Sequence, residues 1–199
     1  MEHFARQGRH FLLQIVISVA QYEVTRNNGK TKIIGKESLS CPVCGGKLSV
    51  HGTCVRKVRY TNGVEILQLR VMKCRDCGKT HRELPEFVVP YKRNSLNLLC
   101  EIAEAPEDSY PCETSTWLRV KAWIAWFFSY ARNVWRGLCV SDPTLTAAET
   151  GGCLRQQLMH FVRLVVNSGN WVQHRSAVTN LYGASILAAT DRRRLPIWT

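Results

Sequence analysis

Two cysteine pairs carry the most definite chemistry in the chain: Cys41-Pro42-Val43-Cys44 and Cys74-Arg75-Asp76-Cys77, with 29 residues between them. Each pair is followed by glycine, Gly45-Gly46 in the first case and Gly78 in the second. A two-residue spacer lets both sulfurs of a pair converge on one ion while the next backbone amides turn toward the thiolates. Two such loops brought together by a hairpin make a four-sulfur zinc site. Cys41, Cys44, Cys74 and Cys77 are therefore the expected ligands, and Zn2+ the expected cofactor. Four thiolates leave no position for water or substrate, so the expected role of the metal is structural. Two other readings of the cysteines are a redox pair and two disulfides. A redox pair needs only one motif, and disulfides do not explain the repeated spacing and trailing glycine. His81, four residues beyond Cys77, is an alternative fourth ligand by spacing. Cys54, inside the intervening strands, reads as a small apolar residue.

The elements that must position these cysteines are β-rich. Val55 to Tyr60 and Val64 to Met72 have strand composition and are joined by Thr61-Asn62-Gly63, a strong hairpin signal. Leu67, Leu69 and Val71 alternate with Gln68 and Arg70, which predicts one packed and one wet face. Upstream, residues 11–26 read as a strand or strand pair ending at the polar turn Asn27-Asn28-Gly29. Arg6 and Arg9 before the apolar run from Phe11 to Ala20 imitate a secretory leader. The β-branched residues Ile15, Val16, Ile17 and Val19 favour a strand instead, and the run is too short to span a bilayer.

Pro85 and Pro90 mark the exit from the ribbon. Ser95 is placed to cap a short helix to about Ala105. Thr114, Ser115 and Thr116 offer capping hydroxyls for a second helix from about Trp117 to Leu138. At 100° per residue, Val120, Trp123, Ile124, Phe127, Ala131, Val134, Trp135 and Leu138 share one face of that helix. Lys121, Ala125, Ser129, Arg132, Asn133 and Arg136 fall opposite, which makes the tryptophans mostly core residues. Beyond Pro143 and Gly151-Gly152, Leu154, Leu158, Phe161, Val162 and Val165 recur at helical spacing. The expected fold class is α+β: a small β-rich zinc ribbon, then an all-helical part with a helix-turn-helix. The expected division is an N-terminal strand segment (1–38), the ribbon (39–92), the helix-turn-helix (93–140) and a C-terminal helical segment (141–199).

The formal charge is +12, and it is segregated. Residues 41–93 are strongly basic, residues 94–116 hold five acids and no base, and residues 117–140 hold four bases and no acid. Two basic surfaces facing a polyanion are the expectation. Arg56, Lys57, Arg59, Arg70 and Lys73 decorate the hairpin, Lys92 and Arg93 its exit, and Arg119, Lys121, Arg132 and Arg136 the long helix. Of these, Arg56, Lys57, Arg59, Arg70, Lys92, Arg93, Arg119, Lys121, Arg132 and Arg136 are the candidate nucleic-acid contacts. The run Arg192-Arg193-Arg194 reads as a solvated tail. Nine cysteines, five outside the metal pairs, suggest reduced thiols and a cytoplasmic setting.

Taken together, Cys41-Pro-Val-Cys-Gly-Gly, Cys74-Arg-Asp-Cys-Gly-Lys-Thr-His81, Leu84-Pro85 and Val89-Pro90-Tyr91-Lys92 resemble the zinc-ribbon head of an uncharacterised bacterial family related to the N-terminal regions of insertion-sequence transposases. Cys112-Glu113-Thr114-Ser115-Thr116-Trp117-Leu118-Arg119 resembles its helix-turn-helix stretch. Asn167 to Trp171 and His174 to Ala177 resemble its C-terminal portion. The resemblance implies DNA binding and brings no reaction with it.

No catalytic residues are expected. After the second helix the only carboxylates are Asp142, Glu149 and Asp191, in a stretch of under 60 residues that is too short for a two-metal nuclease core with its own sheet. A glycine-rich phosphate loop ending in Lys-Ser or Lys-Thr is missing from the sequence, and the four-cysteine pattern offers no open coordination site of the kind a zinc deaminase needs. The expected function is a non-catalytic, sequence- or structure-selective DNA-binding protein of mobile-element origin. The alternatives are a protein-interaction adaptor in a transposition or transcription complex, or an RNA-binding module.

Overall fold

In the computed structural model, residues 15–27, 29–106, 109–110, 112–141 and 152–169 are described. Phe11 to Gln14, Pro143, the carboxylates Asp142, Glu149 and Asp191, and the arginine run at 192–194 lie outside those residues, as does the resemblance beyond Gly169. The architecture is α+β, a mixed, curled sheet followed by three helices. The strands are β1 (Ile15–Val19), β2 (Tyr22–Asn27), β3 (Lys30–Gly35), β4 (Leu48–Tyr60), β5 (Gly63–Cys74) and β6 (Thr80–Pro85). The helices are α1 (Leu96–Glu104), α2 (Thr114–Ser141) and α3 (Leu154–Asn167).

The hairpin expected from the Asn-Gly signal is the longest feature of the sheet. Tyr60 pairs with Gly63 across the turn, whose Gly63 has φ 140°, and the ladder continues to Leu48 opposite Cys74. One edge of β5 is filled by β4. Its other edge is shared: Leu67 and Gln68 pair in parallel with Thr31 and Lys32 of β3, and Val71 to Lys73 pair antiparallel with β6. β1 adds in parallel to β6, and β2 adds antiparallel to β3. Strands from residues 15–35 and from the cysteine-bearing hairpin thus share one sheet.

Side-chain alternation divides the sheet. Leu67, Leu69, Ile33, Val58 and Leu84 are buried on the face toward the helices. Each fully buried aliphatic side chain of this kind contributes about 1.5–3 kcal/mol. The helices close over that face: α3 packs on β1, α1 touches β4, and all three helices pack on one another.

Ser95 is the N-cap of α1, its hydroxyl accepting from the Leu98 N–H at 3.2 Å. α2 starts earlier than the hydroxyls suggested, because the Glu113 carbonyl already accepts from the N–H groups of Thr116 (2.8 Å) and Trp117 (3.1 Å). Thr114, Ser115 and Thr116 form its first turn. Val120, Trp123, Ile124, Phe127, Phe128 and Ala131 are buried, while Lys121, Ala125, Ser129, Arg132, Asn133 and Arg136 are all exposed. The tryptophan-rich face is therefore largely core, with the Trp123 and Phe127 rings stacked at 5.3 Å. α3 buries Leu158, Phe161, Val162, Val165 and Val166, which is the anticipated stripe. The connection between α1 and α2, residues 105–113, is longer than the three or four residues of the usual helix-turn-helix turn. No helix among the described residues is long and apolar enough to cross a membrane.

Candidate functional site

The two cysteine loops fold alike. The Gly45 N–H donates to the Cys41 carbonyl at 2.8 Å, and the Gly78 N–H donates to the Cys74 carbonyl at 3.2 Å. Both glycines sit in the left-handed region, with φ 74° and 69°, where a side chain would be strained. Each loop is closed behind the turn, by Cys41 N–H to the Gly46 carbonyl and Cys74 N–H to the Lys79 carbonyl, both 2.9 Å. The Arg75 N–H crosses to the Lys47 carbonyl at 3.1 Å and ties the loops together. Because Leu48 pairs with Cys74 at the far end of the β4–β5 ladder, the long hairpin delivers one loop to the other.

The four sulfurs of Cys41, Cys44, Cys74 and Cys77 lie within 4.8 Å of one another. Cys41 Sγ is 3.7 Å from Cys77 Sγ, and Cys44 Sγ is 3.5 Å from Cys74 Sγ. A tetrahedron with zinc–sulfur arms near 2.3 Å has edges of about 3.8 Å, so the constellation fits. These separations are far beyond a disulfide bond of about 2.05 Å, which removes the two-disulfide reading. The N–H of Cys77 foremost, and that of Asp76, hold the Cys74 thiol down at about 7 against the opposing effect of burial. Burial pushes the Cys41 thiol up, opposed by the N–H groups of Val43 and Cys44. Amides aimed at sulfur favour the thiolate that a metal requires. The tetrad can hold a metal ion such as zinc.

His81, the alternative ligand, stands beside the cluster. Its Nε2 is 3.3 Å from Cys41 Sγ, and its Nδ1 has no hydrogen-bond partner among the described residues. Burial, and then Lys79, lower its pKa, which favours the neutral ring. With Cys77 completing the tetrad, His81 supports Cys41 from outside. Cys54 packs against the hydrophobic core, as its sequence context suggested.

The ten candidate cations divide into distinct groups. Arg70 is committed to the fold: it donates to both carboxylate oxygens of buried Glu83 at 2.7 and 2.8 Å and to the Gly35 carbonyl at 2.7 Å. Arg56 turns toward the helices and donates to the carbonyls of Val89 (2.7 Å) and Lys92 (2.5 Å). It thereby pins the turn at Tyr91, a non-glycine residue with φ 62°. Lys57 and Arg59 alternate with Arg56 and are exposed on the opposite face. The Arg59 N–H donates to the Arg93 carbonyl, and the Ser95 N–H donates to the Arg59 carbonyl, both 2.8 Å. Exposed Arg93 therefore lies beside the end of β4, with Lys92 next to it.

On α2, Lys121 Nζ sits 4.2 Å over the Trp117 ring, and Arg132 lies 5.8 Å from the Phe128 centroid. Arg119 bonds back to the Ser115 carbonyl and hydroxyl at 2.9 and 3.0 Å. Arg136 reaches Asn133 Oδ1 at 3.3 Å. Sequence reasoning did not identify Lys30 and Lys32 of β3. They are exposed on the same sheet face as Lys57 and Arg59, since Lys32 and Val55 both pair with Gln68. The available signal was their alternation with buried Ile33.

Neither the curated proteins nor the solved structures yield a match to the chain. Residues 41–120, from the first cysteine of the tetrad into the first turns of α2, match the model of a family described as "Domain of unknown function (DUF6431)", and over that stretch the chain is similar to it.

Proposed function

We propose that the protein is a non-catalytic DNA-binding protein in which a structural zinc at Cys41, Cys44, Cys74 and Cys77 holds the cationic sheet in shape. The observation that carries this reading is the open sheet face bearing Lys30, Lys32, Lys57 and Arg59. All four are exposed and none is in an ion pair among the described residues. Charge of one sign, left without internal partners on one side of a sheet, suits phosphate contacts.

The start of α2 adds Arg119 and Lys121, both exposed. With nine residues between α1 and α2, the groove-reading element in this proposal is the beginning of α2 itself and not a tight helix-turn-helix. A closed four-thiolate site has no room for substrate, which is why the metal is assigned to folding and not to reaction. Mobile-element origin rests on the sequence resemblance alone.

Fluorescence-anisotropy titration of the zinc-loaded protein with duplex DNA, single-stranded DNA and RNA across a salt series tests the reading. Duplex preference with a steep log–log salt slope is the expected result. Preference for RNA, or salt-independent behaviour with all three, overturns it.

A further inference from the structure

We propose that the cleft between the ribbon exit and the beginning of α2 seats one backbone phosphate of bound DNA, held jointly by Lys92, Arg93 and Arg119. This rests on the DNA-binding reading and assigns that reading a specific contact. The cleft has a volume of about 200 Å³ and an apolar floor of Leu99, Val120 and Trp123. Its rim carries the three cations with Asn94 and Thr116, and among the described residues none of its lining is acidic.

Three elements converge to build it. Arg56 pins the Tyr91 turn from beneath and so sets the positions of Lys92 and Arg93. Lys92 lies with Nζ 4.4 Å over the Trp123 ring, where loss of hydration pushes its pKa down to about 8. An ammonium poorly served by water gains most from an anion placed beside it. Across the cleft, Ser115 tethers the Arg119 guanidinium through Nε and one terminal nitrogen, which leaves further donors of its fork for a ligand. Thr116 brings the first turn of a 28-residue helix to the rim, where the backbone dipole favours negative charge.

Continuity identifies the phosphate as part of a polymer. The cleft opens beside Arg59, through its backbone bond to Arg93, and exposed Lys57 lies two residues further along β4. A lone anion needs only the seat; a nucleic-acid backbone uses the seat and the cations that lead to it.

The test is a double-substitution cycle on the full, zinc-loaded chain with Arg93→Gln, Arg119→Gln and the pair, read by duplex binding across a salt series. Both arginines are exposed, so the fold tolerates the changes. If they share one phosphate, each single substitution lowers the magnitude of the salt slope by about 0.9, and the pair lowers it by about 0.9 again and not by twice that. Affinity falls about tenfold in each single variant, and the double variant falls less than the product. Unchanged slopes, or strictly multiplicative losses, overturn the shared seat while leaving DNA binding in place. A wild-type chain without salt-dependent binding overturns the parent reading itself. Acylation of Lys92, followed by peptide mass spectrometry, separates the two sources of phosphate. Micromolar duplex is expected to protect Lys92 where micromolar inorganic phosphate does not. Equal protection by inorganic phosphate overturns the assignment to DNA.

Discussion

The side-chain amide of Asn167, the last residue of α3, pairs with the backbone of Ser18 as a neighbouring strand would. The Ser18 N–H donates to Asn167 Oδ1 at 2.8 Å, and Asn167 Nδ2 donates to the Ser18 carbonyl at 3.0 Å. Among the described residues β1 pairs with β6 on one side only, and backbone groups on its other edge need covering. Asn167 covers two of them at a buried position and fastens the C-terminal end of the helical layer to the edge of the sheet. Glu37 reinforces the same region, accepting from the N–H groups of Ala20 (2.8 Å) and Gln21 (2.7 Å) and from Arg163 at 2.8 Å.

Replacing Asn167 by Ala strips both bonds from a buried strand edge. The expected loss is about 2 kcal/mol, since a buried donor and acceptor are left unmatched. Urea denaturation of the zinc-loaded protein checks this; a loss below a few tenths of a kcal/mol would mean that water replaces the amide without penalty.

Cys41→Ser removes a buried ligand from a site whose binding energy is folding energy. Zinc content is expected to fall well below one per chain, with loss of cooperative melting of the sheet. Atomic absorption and near-ultraviolet circular dichroism report the two effects separately. Retention of full zinc by the variant would bring His81, 3.3 Å from Cys41 Sγ, into the ligand set.

Gly46→Ala tests the packing around the metal. A Cβ there would collide with the Asp76 carboxylate and come within 3.0 Å of Cys74 Sγ. Asp76 can swing away, but the sulfur cannot move without opening the tetrad, so zinc affinity is expected to fall about 10–100-fold. Gly52, with nothing within 4 Å of a built Cβ, is the control, and Gly52→Ala is expected to leave zinc affinity unchanged. Competition with a chromophoric chelator measures both.

Arg70 and Lys57 give opposite outcomes from the two strands of one hairpin. Arg70→Ala abandons a carboxylate at Glu83 that is only 4 % exposed, and a loss of about 3–5 kcal/mol is expected. Lys57→Gln leaves the melting temperature unchanged and weakens duplex binding. Thermal melts and anisotropy on the two variants decide the matter, and the reverse pattern would exchange their roles.

The desolvated Lys92 sets a pH dependence. Its pKa falls from 10.5 to about 8 on folding, so the folded chain binds fewer protons than the unfolded chain between those values, and this residue's contribution to stability rises with pH there. Phosphate binding runs the other way, because the ammonium is charged only below about 8. Among the described residues, the charged groups lining the cleft with it are Arg93 from the ribbon exit and Arg119 from α2, and α1 contributes Leu99. Duplex affinity is expected to weaken from pH 7 to 9 in the wild type and to stay flat in Lys92→Met. Equal pH profiles would remove Lys92 from the contact.

Features written in short-range spacing were legible in the sequence. The four-cysteine cluster follows from a two-residue spacer and a left-handed glycine, both local properties of the backbone. The hairpin follows from Asn62-Gly63, and the buried face of α2 from a period of 3.6 residues. Charge was legible as composition but not as availability. Arg56 and Lys57 are adjacent in the chain, yet one is folded under the Tyr91 turn and the other faces solvent. Alternation on a strand says that neighbours point to opposite faces, but not which face the helices will cover. Arg70 lost its candidacy to Glu83, thirteen residues away, because β6 pairs beside it on β5. Tertiary structure alone joined Asn167 to Ser18 and brought Arg93 to Arg119, since such partners are chosen by strand order and helix packing, over separations that no local pattern encodes.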